Sequence, residues 1–233
     1  MKQQEQKHYS GFVTIIGRPN VGKSSLMNRM IGEKIAIVSS RPQTTRSRIM
    51  GVLSQADYQI VFLDTPGIHD PRTRLGEYMM HSVRDAMDGM DAVLVIFDVT
   101  HLTDNDLSIA TDMKGKKVPV ILALNKIDLA SPEEILAATA KAADAGFDEI
   151  IPVSAKTGSG IDTLLQMIAK ALPQTAKRMR LCIPYTNGSF LQCIREEGKV
   201  FSEEYTADGT VIDALVDIRR QKAAEQYLLP DPE

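Results

Sequence analysis

The residues best suited to chemistry are Gly17, Asn20, Val21, Gly22, Lys23, Ser24 and Ser25, in the run Gly17-Arg18-Pro19-Asn20-Val21-Gly22-Lys23-Ser24-Ser25. The spacing G-x-x-x-x-G-K-S is that of a phosphate loop. Its glycines let successive backbone N–H groups curl around a β-phosphate at a helix N-terminus, where the local field favours negative charge. Lys23 suits the β- and γ-phosphates, and the Ser24 hydroxyl suits Mg²⁺. The chemistry indicated is phosphate binding or phosphate transfer. A second chemical position is Asp64-Thr65-Pro66-Gly67, a carboxylate at the end of an apolar run, on a turn that Pro66 and Gly67 keep out of helix.

These residues need a scaffold to bring them together. Phe12 to Ile16 reads as a buried strand, and Ser25 to Ile31 as a helix closed by Gly32. Lys34 to Val38 suggests a short strand, and Ser39 to Arg46 a polar loop. Arg48 to Ser54 and Tyr58 to Asp64 predict a hairpin, because Gln55-Ala56-Asp57 is too short for a parallel crossover. Leu75 to Met87 has helical periodicity. Asp91 to Val99 and Val118 to Leu124 are continuous apolar runs of the kind buried inside parallel sheets. Ser131-Pro132-Glu133-Glu134 predicts a helix start with a capping box, and Glu149 to Val153 a last strand before a helix over Gly160 to Leu172, stopped by Pro173. Each marked loop follows a strand C-terminus. In a doubly wound sheet that edge binds ligand, so the motifs converge on one crevice.

A chain of 233 residues with 43 % hydrophobic and 24 % charged residues has the composition of an ordinary globular protein, and a formal charge of −3 excludes a global basic field for nucleic acid. The two cysteines, Cys182 and Cys193, are too few for a disulfide framework and fit a reducing compartment. Apolar runs such as Ala92 to Phe97 fall short of a bilayer span, and Met1 to Ser10 is polar, without a signal-peptide core. The expectation is a cytoplasmic protein without a transmembrane segment, with peripheral membrane contact left open. The expected organisation is a polar segment over 1–10, a main domain over 11–173, a polar linker over 174–179, a small α+β domain over 180–219 and a frayed tail over 220–233. In the small domain, Arg180 to Pro184 reads as strand and Ser189 to Glu197 as helix. Lys199 to Thr206 and Val211 to Val216 read as a hairpin about Asp208-Gly209.

The phosphate loop, the threonine pair Thr44-Thr45, Asp64-Thr65-Pro66-Gly67, Asn125-Lys126-Ile127-Asp128 and Ser154-Ala155-Lys156 occur in the order and spacing of a GTPase domain. Residues 11–173 resemble the Era-type GTPases of the TrmE–Era–septin group. Ser10-Gly11-Phe12-Val13, Pro42-Gln43-Thr44-Thr45-Arg46 and Asp64-Thr65-Pro66-Gly67-Ile68-His69 are especially similar. The resemblance implies a three-layer α/β P-loop NTPase of the Ras-like type, with a mostly parallel sheet, followed here by a small β-α-β-β unit. It implies GTP and GDP as substrate and product, Mg²⁺ as cofactor, and a ribosomal particle or ribosome-associated protein as partner.

The residues agree with that implication. Asp128 presents paired acceptors to the N1–H and N2–H₂ of guanine, which adenine lacks. Asn125 and Lys126 would brace the base, and the N–H of Ala155, between Ser154 and Lys156, would donate to the guanine O6. Asp64 would act on Mg²⁺ through water, and the N–H of Gly67 on the γ-phosphate. Thr45 or Thr44 resembles the threonine that closes on Mg²⁺; the two stay undivided. Ile68 stands where small regulatory GTPases carry a water-orienting glutamine, so hydrolysis is expected to be slow. His69 is read as a solvated loop histidine. Asn20 resembles the K⁺ ligand of relatives in this group, and a plain loop asparagine is the equal alternative. A scaffold that binds nucleotide without hydrolysing it is the rival reading.

Beyond residue 173 the resemblance to Era-type proteins stops, because no G-x-x-G loop of a KH domain follows. Ile183-Pro184-Tyr185, Glu196-Glu197-Gly198-Lys199-Val200 and Glu203-Glu204-Tyr205 instead resemble the small C-terminal domain of HflX-type ribosome-associated GTPases, whose action on stalled or idle ribosomes is the alternative setting. With eight Lys/Arg against ten Asp/Glu over residues 174–233, protein contact suits this unit better than direct ribosomal RNA binding.

Overall fold

The computed structural model of the chain describes residues 7–32, 48–64, 89–113 and 118–230. The chain divides into two compact units. One comprises Gly11–Ser54 with Gln59–Leu172, the other Met1–Ser10, Gln55–Tyr58 and Pro173–Glu233. Among the described residues no helix is long and apolar enough to cross a membrane.

The larger unit holds strands β1 (Lys7–Ile16, from Gly11 onward), β2 (Arg48–Ser54), β3 (Tyr58–Asp64, from Gln59 onward), β4 (Ala92–Asp98), β5 (Val120–Asn125) and β6 (Glu149–Pro152). Its helices are α1 (Lys23–Ile31), α2 (Asp104–Met113), α3 (Pro132–Ala145) and α4 (Ile161–Ala171). The strands run in the order β2-β3-β1-β4-β5-β6. β1 is parallel to β4, β4 to β5 and β5 to β6, and β2 and β3 form the expected antiparallel hairpin.

All seven residues of β4 are buried, which explains an apolar run without alternation: helices cover both faces of the sheet. Val93, Val95 and Phe97, with Leu122 and Leu124 of β5, pack on Ala138 and Ala142 of α3, and Phe147 meets Phe97 edge-on with ring centroids 5.7 Å apart. Leu94 and Ile96, one residue out of phase, are buried on the opposite face, where α4 packs on the strand. Truncating a fully buried ring such as Phe97 to alanine costs about 3 kcal/mol or more.

The helix ends follow local chemistry. Ser131 accepts from the Glu134 N–H, Glu134 reaches back to the Ser131 N–H at 2.8 Å, and Pro132 opens α3. Helix α2 has no counterpart in the sequence analysis, although Thr103-x-x-Asp106 carries its start signal. The Thr103 N–H donates to Asp106 Oδ2 at 3.0 Å, and the Asp106 N–H points back to Thr103 Oγ1 at 3.4 Å. The expected strand over 34–38, the loop over 39–46 with Arg41, Thr44, Thr45 and Arg46, the residues Gly67, Ile68, His69 and Arg72, and the helix over 75–87 all lie outside the described residues.

In the smaller unit, β7 (Gln174–Ile183) pairs antiparallel with β9 (Thr210–Asp217), and β9 with β8 (Val200–Tyr205). α5 (Gly188–Glu197) and α6 (Ile218–Ala224) close a core of Met179, Leu181, Ile183, Leu191, Ile194, Ile212, Ala214 and Val216. Three sequence expectations are corrected here. The supposed linker 174–179 is the first half of β7: Met179 faces the core, while Arg178, on the other face, forms a two-pronged pair with Asp213 at 2.8 and 2.6 Å. The polar segment at the N-terminus is strand from Lys7, and its residues Lys7, His8 and Tyr9 pair with β7. The supposed frayed tail is helix from Ile218, and Leu228 bridges to Leu181 while the Leu229 N–H donates to the Arg180 carbonyl at 2.9 Å. The β8–β9 turn runs from Thr206 to Gly209 about the expected Asp208-Gly209, closed by the Thr206 N–H on the Gly209 carbonyl at 2.9 Å.

Candidate functional site

Parallel pairing brings the C-terminal ends of β1, β4, β5 and β6 to one edge of the larger unit, and the site grows from the loops that follow them. A Cβ at Gly17 would stand 2.6 Å from the Ile96 carbonyl, so only glycine lets the chain leave β1 in this direction. Asn20 has φ 67°, the left-handed region that asparagine tolerates better than most residues. Gly22, with φ 98°, is the N-cap of α1. The N-cap glycine supplies no side-chain cap to α1 and no acidic residue sits in its first turn, while Ser24 and Ser25 are in that turn. Gly22 therefore brings no side-chain acceptor to the first turn of α1, and such a helix start suits an incoming anion.

Two cations mark this loop. Lys23 Nζ arches back to donate to the carbonyls of Gly17 and Arg18 at 2.6 and 2.7 Å. Arg18 leaves the loop in another direction and pairs with Asp106 at 2.6 Å, also donating to the His101 carbonyl at 2.9 Å. The Asp106 side chain is 1 % exposed, so the second residue of the loop is tied to the start of α2 through a buried carboxylate.

The loops after β5 and β6 form the other half. Asn125 is buried; its Nδ2 donates to the Val21 carbonyl at 2.9 Å and its Oδ1 accepts from the Ala155 N–H at 3.1 Å. Lys126 is left-handed, with φ 70°, and its ammonium lies 2.6 Å from Asp98 Oδ2 at the end of β4. Burial opposes ionisation of Asp98, but the Lys126 ammonium and the Thr100 hydroxyl and N–H outweigh it and hold the carboxyl below the usual carboxylate range. Asp128 Oδ1 accepts from the buried Ser154 hydroxyl at 2.6 Å; that bond is the main cause of a lowered pKa, with Lys156 adding to it from 3.8 Å. Arg29 of α1 donates to the Thr157 carbonyl at 3.1 Å, bracing the turn after Ser154.

Thus Gly17, Asn20, Val21, Gly22, Lys23, Ser24 and Ser25 meet Asn125, Lys126, Asp128, Ser154, Ala155 and Lys156 at one edge, and Asp64 is the last residue of β3. Sequence reasoning missed Asp98, Thr100, Arg18, Asp106 and Arg29. The available signal was a carboxylate, Asp98, ending a wholly apolar strand, and in the structure it lies opposite Asn125 in the β4–β5 register. The arrangement can cradle an anion at α1 and present an ionised carboxylate fork at Asp128.

Residues 12–126 match the family described as 50S ribosome-binding GTPase, and residues 137–227 match the HflX C-terminal domain, a match that begins well before the boundary expected at residue 174. GTPase Era of Clostridium acetobutylicum is 50 % identical over 171 residues, 72 % of this chain and 57 % of that protein. A crystal structure of Era in complex with MgGDPNP and nucleotides 1506–1542 of 16S ribosomal RNA superposes with a TM-score of 0.57 at 36 % identity, over 72 % of this chain and 58 % of that one. A crystal structure of a point variant of Aquifex aeolicus Era, bound to GDP and AlF4⁻, gives 0.56 at 34 % identity, over 71 % and 58 % of the two chains. The chain therefore spans a little over half the length of these relatives. The fold is the mixed α/β fold of P-loop GTPases, with a mostly parallel sheet.

Proposed function

We propose that this chain, which joins an Era-like GTPase G domain to an HflX-type C-terminal domain, is a guanine-nucleotide switch that binds GTP and hydrolyses it to GDP and phosphate. The observation that carries the reading is Asn125, whose one buried amide ties the phosphate-loop carbonyl of Val21 to the N–H of Ala155. Phosphate cradle and base fork are thereby held as one unit, as a nucleotide of fixed length requires.

Asp128, oriented by the Ser154 hydroxyl on its Oδ1, takes the two guanine N–H donors. Ala155 and Lys156 line the same loop. Lys23 moves from the Gly17 and Arg18 carbonyls to the β- and γ-phosphate oxygens, exchanging neutral acceptors for charged ones. The Ser24 hydroxyl, on the first turn of a helix without a side-chain cap, fits a Mg²⁺ ligand, with Asp64 acting through water and Thr45 or Thr44 closing the set. When bound, Mg²⁺ neutralises charge developing on the phosphate oxygens. Gly67 gives its N–H to the γ-phosphate. Asn20, at the mouth of the loop, is the side chain that would hold K⁺.

The setting proposed is the ribosome, with a role in ribosome assembly, supported by the Era relatives and by the Era structure solved with 16S ribosomal RNA. The match of residues 137–227 favours a second reading, an HflX-like factor on stalled or idle ribosomes. Sedimentation of the full chain with ribosomal particles under a non-hydrolysable GTP analogue tests both. Binding to an assembly intermediate supports the first, binding to mature particles the second, and binding to neither removes the ribosomal role.

A further inference from the structure

We propose that Asp98 is a positioning residue for the nucleotide base, acting through Lys126; this rests on the guanine-nucleotide reading of the same loops. Asp98 ends β4, lies opposite Asn125 in the β4–β5 register and is 7 % exposed. A carboxylate so buried must be met by donors. It takes three: Lys126 Nζ on Oδ2 at 2.6 Å, and the Thr100 N–H and hydroxyl on Oδ1 at 3.0 and 2.7 Å. The Thr100 bonds fix Asp98 on its own strand end, so the carboxylate does not swing to follow Lys126; Lys126 comes to it. His101 Nδ1 lies 3.9 Å from the same Oδ2 on an exposed ring, too far for a hydrogen bond that would displace the ammonium.

Lys126 is thereby held at both ends. Its backbone is confined to φ 70°, ψ 31°, which a lysine seldom adopts, and its ammonium is tied across one strand spacing to β4. The methylene stem between these ends has little rotamer freedom left and is a pre-ordered apolar shelf for a purine face. The tie has a second consequence. Lys126 stands two residues before Asp128, and an untethered ammonium would compete with guanine for the Asp128 oxygens. With Asp98 holding that charge, Lys126 adds no second ammonium to that of Lys156, which lies 3.8 Å from Asp128 Oδ2 on a mostly exposed side chain.

The test uses the full chain and the fluorescent probes mant-GDP and a non-hydrolysable mant-GTP analogue in stopped-flow dissociation. Asp98→Asn keeps the shape and removes the charge; nucleotide dissociation is expected to speed up about tenfold, by the same factor for both probes because the base is common to them. The loss in GTP turnover should appear in KM and not in kcat. In a Lys126→Met background, adding Asp98→Asn should change dissociation less than about twofold, which a general loss of folding would not reproduce. Should Asp98→Asn fail to fold, Asp98→Glu, whose extra methylene displaces the ammonium, reads the same rate. Wild-type dissociation rates in the folded variants, or an undiminished effect of Asp98→Asn on Lys126→Met, overturn the proposal alone. A wild-type chain that binds neither probe overturns the guanine reading and this proposal with it.

Discussion

The Asn125 side-chain amide donates to the Val21 carbonyl at 2.9 Å, across 104 positions of sequence, in a buried setting. Val21 lies inside the phosphate loop, and Asn125 ends the strand that leads to Lys126 and Asp128. This single bond makes the distance between phosphate cradle and base fork a property of the fold.

Asn125→Ala should leave the Val21 carbonyl and the Ala155 N–H without their partner. A loss of about 2 kcal/mol or more in stability is expected, since unsatisfied buried groups cost about 1–3 kcal/mol each. Chemical denaturation measures it, and mant-GDP titration should show a larger loss of affinity than Asp98→Asn produces.

Asp128→Asn should weaken GTP and gain xanthosine triphosphate, whose base presents the complementary donor and acceptor. Competition titration decides this, and an unchanged preference for GTP removes Asp128 from the base site.

The same carboxylate sets an acid limit. The Ser154 bond depresses the folded pKa of Asp128, so its ionised form persists below the ordinary carboxylate value of about 3.9 and recognition is lost only as pH falls through the depressed value. Ser154→Ala should move that loss to higher pH. Mant-GDP affinity measured at descending pH for the two proteins checks the direction.

Lys23→Ala removes the charge-assisted contacts to the β- and γ-phosphates and should abolish turnover at saturating GTP while the apo fold survives. Retained wild-type hydrolysis in a phosphate-release assay would contradict the assignment of the phosphate loop.

Hydrolysis should be slow and should rise in potassium over sodium, with Asn20 carrying the response. Asn20→Gly is the suitable variant, because glycine keeps φ 67° without strain and deletes only the side chain. Equal rates in both salts, or potassium stimulation that survives the substitution, would leave activation to an external partner.

Much of this was legible beforehand for a local reason. Gly22 and Lys23 belong to a spacing that works within one turn. The capping box at Ser131 and Glu134 closes over three residues, and the apolar run of β4 announces burial on both faces. Such signals need no knowledge of what lies across the sheet. The polar stretch 174–179 misled for the opposite reason: Arg178 reads as linker until Asp213, 35 positions away, is placed beside it. Strand propensity depends on cross-strand partners, which composition does not name.

The sequence by itself determined the chemical types and the loops that carry them: the phosphate-loop run, the carboxylate of Asp128 and the amide of Asn125. Only the tertiary structure decided what each side chain holds. Lys126 is tied to Asp98, Arg18 to buried Asp106, and Asn125 to both Val21 and Ala155, pairs separated by 28, 88, 104 and 30 positions. Contacts of that range arise from the parallel stacking of strand ends at one edge, and a one-dimensional pattern carries no record of which ends become neighbours.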